Sequence, residues 1–576
     1  MLIQRNGFMH TTINMQFKDF PYQRPALEQI KSEYQALITA FEAAPTAQDA
    51  IAIRQQISDL SLRFSGPYNL ASVRHSIDTR NAFYQEEKSF FDQAAPEISA
   101  LSNAFSKALL ASPHKAEMAE QLGQHLFNLE EMALKTFQPE IIEDLKEQNR
   151  LSTRYQEIKA QAQIEFEGET YNLSTLSPLE LSTNRAQRKG AQTAKWEYYD
   201  SISEEVEDIF DQLVKLRHKM AQKLGYENYI ELGYARMARS DYGPQEVAKF
   251  RKQIEEQVVP LAQTLYKKQA ERIGIDKMEF YDFALEFLDG NPTPKGDVDW
   301  MVQQADQMYS ELSAETKEFF RFMQDKGLLE LASKDGKRNG GYCTYFREHQ
   351  APFIFSNFNG SAHDFTVLTH EAGHAFQCYL TGRSGADPDY IWPTYEACEI
   401  HSMSMEFFSW PWVEQFFKED SEKFKLAHLG GAVTFLPYGA AVDEFQHLVY
   451  EHPEWTPAQR NAAWLELEER YLPHLKSSES GQPFLQRGGY WQRQTHIFAS
   501  PFYYIDYVLA QICAFQFWDR QLQAPEKAWS DYIKLCETGG RHSFLKLLEI
   551  ADLQSPFLPD TVEKALRPVR TFLAQE

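Results

Sequence analysis

One short segment of the sequence carries side chains spaced as the ligands and the base of a metal site. In HEAGH, His370 and His374 are four residues apart and Glu371 follows the first histidine. On a helix, side chains with this spacing project from one face about one turn apart, so both imidazoles can bind one metal ion. The pattern is typical of a Zn²⁺ site in which the glutamate lies beside the open coordination position.

A helix must carry these residues, and the flanking sequence predicts one. In GSAHDFTVLTHEAGHAFQCYLTGR, Ser361 followed by Asp364 resembles a capping box at the start, and Gly382 suits a C-cap at the end. Strand-like runs at 325–360, rich in Gly, Asn and aromatic residues, predict a small β-sheet just before this helix. Within them, APFIFSNF at 351–358 is either an edge strand that binds peptide backbone or a buried strand.

The third metal ligand must come from elsewhere in the chain. Gln377 and Leu380 occupy the positions where a metzincin has glycine and histidine, which excludes that class. The next helical segment, PTYEACEIHSMSMEFFSW, offers two nearby carboxylates, Glu396 and Glu399, 22 and 25 residues past His374. The spacing alone does not choose between them. His401 is interpreted as a packed or surface histidine.

Several segments resemble the oligoendopeptidase F and thimet-oligopeptidase family of zinc peptidases. The matching motifs are HEAGH, the segment EIHSMSME at 399–406 and the segment HIFASPFYYIDY at 496–507, and the resemblance covers most of 200–576. It implies that Glu399 is the third ligand of one Zn²⁺ per chain. Glu396 and Glu406 then become candidates for orienting His370 or His374, with a solvated helix face as the alternative.

The resemblance also implies which side chains contact the substrate carbonyl. A histidine and two tyrosines three residues apart do so in the family, and they match His496, Tyr504 and Tyr507. Tyr503 is interpreted as a core aromatic, although the sequence leaves open whether it replaces Tyr504. The preceding glycine-rich loop at 478–490 either closes over substrate or is an inert surface loop.

These residues support hydrolysis of a peptide bond. Zinc lowers the pKa of its bound water toward about 7, and Glu371 takes the proton and passes it to the leaving amine. The resemblance implies a zinc metalloendopeptidase acting on short unfolded oligopeptides. The alternative is a metallocarboxypeptidase on a similar helical fold, with Arg493 or Arg383 holding the substrate carboxylate. A silent peptide-binding protein is a third hypothesis, which the intact set of metal ligands and base disfavours.

The wider chain is predicted to be mostly α-helical. Apolar residues recur at helical spacing through the first 200 residues, interrupted by a short strand pair near 163–175, and helices resume after the small sheet. We expect an N-terminal helical lobe at 1–200 and a catalytic lobe at 201–576. The family resemblance implies that the two lobes enclose a deep substrate channel with the zinc inside it.

Composition limits partners and location. The net charge of −24 disfavours nucleic acid, because phosphate backbones are repelled. Five cysteines without metal-site spacing favour a reducing compartment. The start of the chain lacks an apolar signal segment, and the longest apolar stretch, Ile505–Trp518, is too short to span a bilayer. We therefore expect a cytoplasmic protein with no membrane partner; the oligomeric state stays open.

Overall fold

The computed structural model describes residues 15–574 and is mostly helical, as the sequence predicts. Residues 1–14 lie outside the described part. The prediction that the start of the chain lacks a signal segment falls largely on these residues. The first six helices are α1 (Leu27–Glu42), α2 (Ala47–Ile77), α3 (Ala82–Ala111), α4 (Lys115–Leu122), α5 (Gln124–Thr136) and α6 (Ile142–Ala160). The apolar faces of α1 to α5 form a hydrophobic core of their own, which includes Phe64, Phe91 and Phe127.

A short hairpin separates these helices from the rest of the chain. Strands β1 (Ile164–Phe166) and β2 (Glu169–Tyr171) pair antiparallel, within the predicted range. The turn residues Glu167 and Gly168 have φ angles of 51° and 86°, and positive values at both turn positions suit a two-residue hairpin. Helices α7 (Leu173–Glu180) and α8 (Arg185–Lys223) follow. Residue 200 lies inside α8, so the expected lobe boundary does not coincide with a helix end, and the division stays a prediction.

The three-stranded sheet and most of the remaining helices share a single large hydrophobic core. Those before the sheet are α9 (Tyr229–Arg236), α10 (Pro244–Gln253), α11 (Val259–Arg272), α12 (Val298–Leu312) and α13 (Ala314–Asp325). Those after it are α14 (His363–Arg383), α15 (Tyr395–Phe408), α16 (Val413–Phe417), α17 (Ser421–Glu451), α18 (Pro457–Tyr471), α19 (Pro483–Gln486), α20 (Thr495–Ala499), α21 (Tyr504–Gln523), α22 (Pro525–Thr538), α23 (Phe544–Ile550) and α24 (Thr561–Leu573). Among the described residues, no helix combines the length and apolarity needed to cross a bilayer.

The predicted sheet has three strands, β3 (Leu329–Ala332), β4 (Tyr342–Phe346) and β5 (Ala351–Phe358), in the order β3-β5-β4. Strand β5 runs parallel to β3 and antiparallel to β4, and Ile354 pairs with Leu329 on one side and Cys343 on the other. Both edges of β5 are therefore occupied. The edge-strand interpretation of 351–358 is wrong, and the buried alternative is right. Strands β3 and β4 are the two edges of the sheet instead.

The metal-binding helix begins differently from the sequence prediction. Residue 362 is the N-cap and provides no side-chain cap. Asp364 instead accepts the backbone N–H groups of Asn359 and Gly360 at 3.0 and 2.7 Å, so its carboxylate ties the end of β5 to the first turn. Ser361 does not form the predicted capping box, because its hydroxyl donates to the side chain of Asn359.

The helix also ends later than predicted. It continues past Gly382 to Arg383, and Ser384 is the C-cap. A Cβ at position 382 would lie 2.2 Å from the hydroxyl oxygen of Tyr345 on β4. Gly382 therefore allows α14 to pack closely on the sheet rather than ending the helix.

The N-terminal helices are tied to the segment that follows the metal-binding helix. Nη1 of Arg54 on α2 lies 2.7 Å from Oδ2 of Asp387. The hydroxyl of Tyr390 donates to the carbonyl oxygen of Leu122 at 2.9 Å. These buried contacts hold α2 and α4 against the loop between α14 and α15.

Candidate metal centre

His370, His374 and Glu399 meet at one point between α14 and α15. Nε2 of His370 lies 3.3 Å from Oε2 of Glu399, and Nε2 of His374 lies 3.4 Å from the same oxygen. One ligand atom from each residue lies within 4.8 Å of the other two. Two imidazole nitrogens and a carboxylate oxygen at these separations are a donor set that would hold Zn²⁺. The donor set therefore fits the predicted metal.

The close approach of the two helices depends on Gly373, which lies between the two histidines. A Cβ at this position would lie 2.5 Å from the carbonyl oxygen of His401 and 2.6 Å from Cα of Ser402. Only a residue without a side chain permits this contact, which brings Glu399 within reach of both rings. Sequence analysis missed this role, although a glycine inside a predicted helix was a signal of close packing.

Glu406 orients one of the two candidate zinc-binding rings. Its Oε1 lies 2.7 Å from Nδ1 of His370, and its Oε2 lies 2.8 Å from Nε2 of His428. Trp410 donates its indole N–H to Nδ1 of His428 at 3.2 Å, so the other nitrogen of that ring carries the proton given to Glu406. Glu406 thus accepts on both oxygens and leaves Nε2 of His370 free for a metal ion. Sequence analysis named Glu406 for this role and missed His428.

Glu399 is held by two hydroxyl groups besides facing the histidines. The hydroxyl of Ser402 donates to its Oε2 at 2.9 Å, and the hydroxyl of Tyr503 donates to its Oε1. Burial alone would raise the pKa of Glu399, but the nearby His374 and His370 hold that pKa well below its usual range. The two hydroxyl groups therefore fix the orientation of the carboxylate beside the two imidazoles.

Glu396, the other candidate ligand on α15, lies away from the metal site. Its Oε1 accepts the hydroxyl of Tyr242, and Nε of Arg239 lies 3.7 Å from the same oxygen. The carboxylate is 1% exposed and belongs to a buried polar cluster that also contains Asp506. Its contacts therefore give it no part in orienting His370 or His374.

Glu371 lies beside the metal ligands with a free oxygen. The residue is buried, and its Oε2 has no hydrogen-bond partner within residues 15–574. A Cβ at Gly341 would lie 2.9 Å from Oε1, so the glycine before β4 lets the backbone pass close to the carboxylate. Burial raises the pKa of Glu371, and the charges of His370 and His374 oppose that rise. This position suits a base acting on a metal-ligated water.

His496 is linked to Tyr507 in a short hydrogen-bond chain. Its Nε2 lies 3.2 Å from the hydroxyl oxygen of Tyr507, and its Nδ1 accepts from the side-chain amide of Gln494 at 2.7 Å. The proton of the neutral ring is therefore on Nε2. The side-chain carbonyl of Gln494 accepts the hydroxyl of Tyr438 at 3.0 Å. Burial lowers the pKa of His496 to about 4, which keeps the ring neutral near pH 7.

The three tyrosines near the start of α21 all lie close to His496, and Tyr507 is close to both of the others. Tyr503 and Tyr507 are four residues apart with ring centres 5.2 Å from each other, and Tyr503 contacts Glu399. The ring of Tyr504 lies 5.7 Å from that of Tyr438 and 5.1 Å from that of His496. Tyr503, interpreted from sequence as a core aromatic, is half-buried and hydrogen-bonded to a candidate metal ligand. His401, in contrast, is fully buried beside Tyr532.

The glycine-rich loop at 478–490 is anchored along part of its length. Phe484 and Leu485 are buried against Trp196 and Tyr199 of α8. A Cβ at Gly488, whose φ is 83°, would lie 2.2 Å from the carbonyl oxygen of Asn461. This packing fixes the segment that leads to Arg493 and His496.

The two arginines considered for a carboxylate clamp lie in different places. Arg493 is three residues before His496, and its guanidinium carbon lies 4.4 Å from the ring centre of Tyr490. The guanidinium carbon of Arg383 lies 3.5 Å from the ring centre of Tyr379, at the C-terminal end of α14. Arg493 alone of the two borders the candidate catalytic residues.

Comparison with known proteins agrees with this site. The sequence profile of Peptidase family M3 matches residues 179–567, and that of the Peptidase M3 N-terminal domain matches residues 17–137. A structure described as PZ peptidase A with inhibitor 2 is 47% identical, covers 97% of this chain and 99% of its own, and has a TM-score of 0.96. A structure described as an oligoendopeptidase F from Bacillus anthracis str. Ames is 46% identical, covers 98% of each chain and has a TM-score of 0.92.

A curated relative gives the same family at lower identity. The oligoendopeptidase F homolog of Lactococcus lactis subsp. lactis (strain IL1403) is 22% identical over 411 residues. The alignment covers 66% of this chain and 65% of that relative. The resemblance seen in the sequence is thereby confirmed. Since the family profile matches more than half of the chain and includes His370, Glu371 and His374, the chain belongs to Peptidase family M3, whose members are zinc-dependent metallopeptidases.

Proposed function

We propose that this chain hydrolyses internal peptide bonds of short unfolded peptides, with one Zn²⁺ per chain held by His370, His374 and Glu399. The observation that carries the proposal is the convergence of these three side chains beside the free oxygen of Glu371. When bound, the ion supplies Lewis acidity, which lowers the pKa of a water ligand toward about 7 and polarises the substrate carbonyl.

Glu371 is the proposed general base. It takes the proton of the attacking water and later gives it to the amine of the leaving peptide. Its free Oε2 supports this role, since no donor among the described residues competes with the water for that oxygen.

His496 and Tyr507 are the proposed donors to the oxyanion that forms on the substrate carbonyl, with Tyr504 as the second tyrosine. The neutral ring of His496 and its contact with Tyr507 support this assignment, because both groups keep a proton to donate. Tyr503 is an alternative to Tyr504, supported by its place four residues from Tyr507 and by its contact with Glu399. Each such donor stabilises the transition state by about 3 kcal/mol.

One assay tests the proposal against its alternatives. An internally quenched peptide of about ten residues, within the size expected for an enclosed site, is blocked at both ends. Internal cleavage that disappears on zinc removal and in Glu371→Gln supports the endopeptidase. Trimming of free-ended peptides only would support the metallocarboxypeptidase, and peptide binding without metal-dependent turnover would support a silent binding protein.

The preference for short substrates rests on access to the site. The side chains of His370, His374 and Glu399 are 19%, 11% and 1% exposed, so a substrate must reach them through a groove. A flexible peptide can enter such a groove, whereas a folded protein must first unfold locally. The enclosing pair of lobes, divided near residue 200, is part of this proposal.

A cytoplasmic location belongs to the proposal as well. All five cysteines are free thiols in the structure, as a reducing compartment requires. Short peptides are the proposed partners.

A further inference from the structure

Buried side chains from other helices hold the backbone of residues 491–507, the segment that carries the proposed oxyanion donors. The hydroxyl of Tyr155 on α6 donates to the carbonyl oxygen of Gln492 at 2.8 Å. Nζ of Lys159, on the same helix, donates to the carbonyl oxygen of Arg493 at 2.6 Å. These two contacts fix the backbone at the point where it enters α20.

Arg217 on α8 is fully buried and holds the end of α20. Its Nη1 lies 3.3 Å from the carbonyl oxygen of Ile497, and its Nη2 donates to the carbonyl oxygen of Phe498. The last carbonyl groups of a helix have no partner within the helix, so these two need a donor from elsewhere. Arg217 also donates to the hydroxyl of Tyr450 at 2.9 Å and to the side-chain carbonyl of Gln148 at 3.3 Å. These four contacts use all three guanidinium nitrogens on neutral oxygen atoms.

Phe502, the residue before the three tyrosines, has an unusual backbone conformation. Its φ is 68°, in the left-handed region that a phenylalanine seldom adopts. Its N–H donates to Oε1 of Gln446 on α17 at 2.8 Å, and its carbonyl oxygen accepts from Nη2 of Arg239 at 2.5 Å. Its ring is fully buried against Gly233, where a Cβ would lie 2.5 Å from Cδ2 of the ring. Contacts on both sides of the residue therefore hold a conformation that it would leave on its own.

Arg239 also fixes the first turn of α21. The same Nη2 lies 2.6 Å from Oδ1 of Asp506, and both side chains are fully buried. One guanidinium group therefore joins the residue before Tyr503 to the residue before Tyr507. The start of α21 cannot turn or slide without breaking this link.

The contacts made by the side chains of the segment need accurate placement. The hydroxyl of Tyr503 donates to Glu399, a candidate metal ligand. Nε2 of His496 lies 3.2 Å from the hydroxyl oxygen of Tyr507. Hydrogen bonds weaken steeply with poor geometry, and a shift of about 1 Å at a reacting group can cost roughly a hundredfold in rate. A backbone that moved at Phe502 would carry both tyrosines with it.

We propose that Arg217, Arg239 and Gln446 are positioning residues for the proposed oxyanion donors. Each binds the backbone of the 491–507 segment, the arginines through carbonyl oxygens and the glutamine through an N–H group. Together they set the direction in which the chain leaves α20 and enters α21, and so where His496 and the tyrosines lie relative to the metal site. This inference rests on the proposed peptidase function.

Substitutions that remove these contacts test the role. Arg217→Met and Gln446→Met each remove a hold on the backbone and leave no buried charge unpaired, because the partners are neutral. We expect each to lower kcat by about 10- to 100-fold with little change in KM, since the misplaced groups act mainly in the transition state. Arg217→Lys keeps a donor and should restore part of the lost rate. Steady-state kinetics with one quenched peptide measure these effects.

Arg188→Met is the matched control. Arg188 is also buried and also donates to backbone carbonyl oxygens, those of Tyr281 at 3.0 Å and Ser182 at 2.6 Å. Its ion-pair partner, Asp282, keeps a second contact with Arg185 at 2.7 Å. The variant should therefore lose stability in thermal unfolding and keep the wild-type kcat. All variants are assayed below the unfolding transition of the least stable one.

Zinc affinity, measured by competition with a chelator, reports the position of the segment without turnover. Gln446→Met and Arg239→Lys should weaken zinc binding by about tenfold, because Tyr503 loses its contact with Glu399. The lysine keeps a charge beside Asp506 but cannot hold the carbonyl of Phe502 as well. Arg188→Met should bind zinc as the wild type does.

The outcomes separate the positioning role from the proposed activity. Lower stability in Arg217→Met and Gln446→Met, with wild-type kcat and zinc affinity, would overturn the positioning role. An equal fall in kcat in Arg188→Met would overturn it as well. A wild-type protein that cleaves no peptide, with zinc affinities in the expected order, would overturn the proposed activity and leave the positioning role supported.

Discussion

Nδ1 of His370 lies 2.7 Å from Oε1 of Glu406, and this contact decides which nitrogen of the ring faces the metal site. A carboxylate only accepts hydrogen bonds, so Nδ1 carries the proton and Nε2 presents its lone pair toward Glu399. His428 holds the other oxygen of Glu406 at 2.8 Å and keeps the carboxylate in place.

Glu406→Gln should lower zinc affinity by about 10- to 100-fold, the usual cost of losing a carboxylate behind a metal-binding histidine. The amide can turn its NH₂ group toward Nδ1 and so favours the wrong tautomer of His370. Competition with a zinc chelator measures the change. Glu422→Gln, on the exposed start of α17, is the control and should bind zinc normally. Wild-type affinity in Glu406→Gln would show that Glu406 does not orient the ring.

Glu399→Ala and Glu396→Ala should fail in different ways. Loss of Glu399 removes a ligand. Zinc affinity should therefore fall by more than the roughly 100-fold expected when a carboxylate that only orients a metal-binding histidine is lost. Loss of Glu396 should leave zinc affinity nearly unchanged but destabilise the fold by about 3 kcal/mol, because Arg239 and Tyr242 lose a buried partner. Metal analysis and thermal unfolding measure both effects. The reverse ranking of zinc affinities would make Glu396 the ligand.

Gly373→Ala should push α15 away from α14. The new methyl group would lie 2.5 Å from the carbonyl oxygen of His401, where only a backbone shift relieves the clash. We expect a loss of about 1–3 kcal/mol in stability together with weaker zinc binding. Gly431→Ala on α17 is a matched control with open space around its Cβ, and it should be neutral or stabilising by up to about 1 kcal/mol. Equal behaviour of the two variants would contradict the packing argument.

Phenylalanine variants of the three tyrosines should separate their roles. Tyr507→Phe should lower kcat by about a hundredfold with a smaller change in KM, since a donor to the oxyanion acts mainly in the transition state. Tyr503→Phe should also weaken zinc binding, because Glu399 loses its hydroxyl partner. Steady-state kinetics and zinc competition measure these effects. A change confined to KM in Tyr507→Phe would assign it to substrate binding alone.

Sequence reasoning succeeded where chemistry has a short local pattern. The mostly helical fold was predicted from apolar periodicity, and helical spacing predicted that His370 and His374 lie on one face of a helix. The range of the sheet was also predicted, but not its strand order. The order β3-β5-β4 depends on pairing between distant segments, which periodicity does not encode, and so 351–358 was allowed to be an edge strand.

The remaining misses have a common physical origin. His428 orients Glu406 from a helix 22 residues further along the chain, and Tyr503 reaches Glu399 across 104 residues. Spacing identifies partners on one helix and is silent about contacts between helices. Gly382 was interpreted as a helix end because glycine is common there, whereas its role is a close approach to Tyr345.

The final prediction concerns substrate size. The side chain of Glu399 is 1% exposed and that of His374 is 11% exposed, so we expect a scissile bond to enter a groove to reach the metal. Peptides of about 5–20 residues that share one cleavage sequence should therefore be cut, and stable folded proteins should not. Nested peptides are compared with one protein in native and in denatured form, with product masses recorded over time. Efficient cutting of the native protein at an internal loop would overturn the enclosed groove and leave the zinc chemistry untouched.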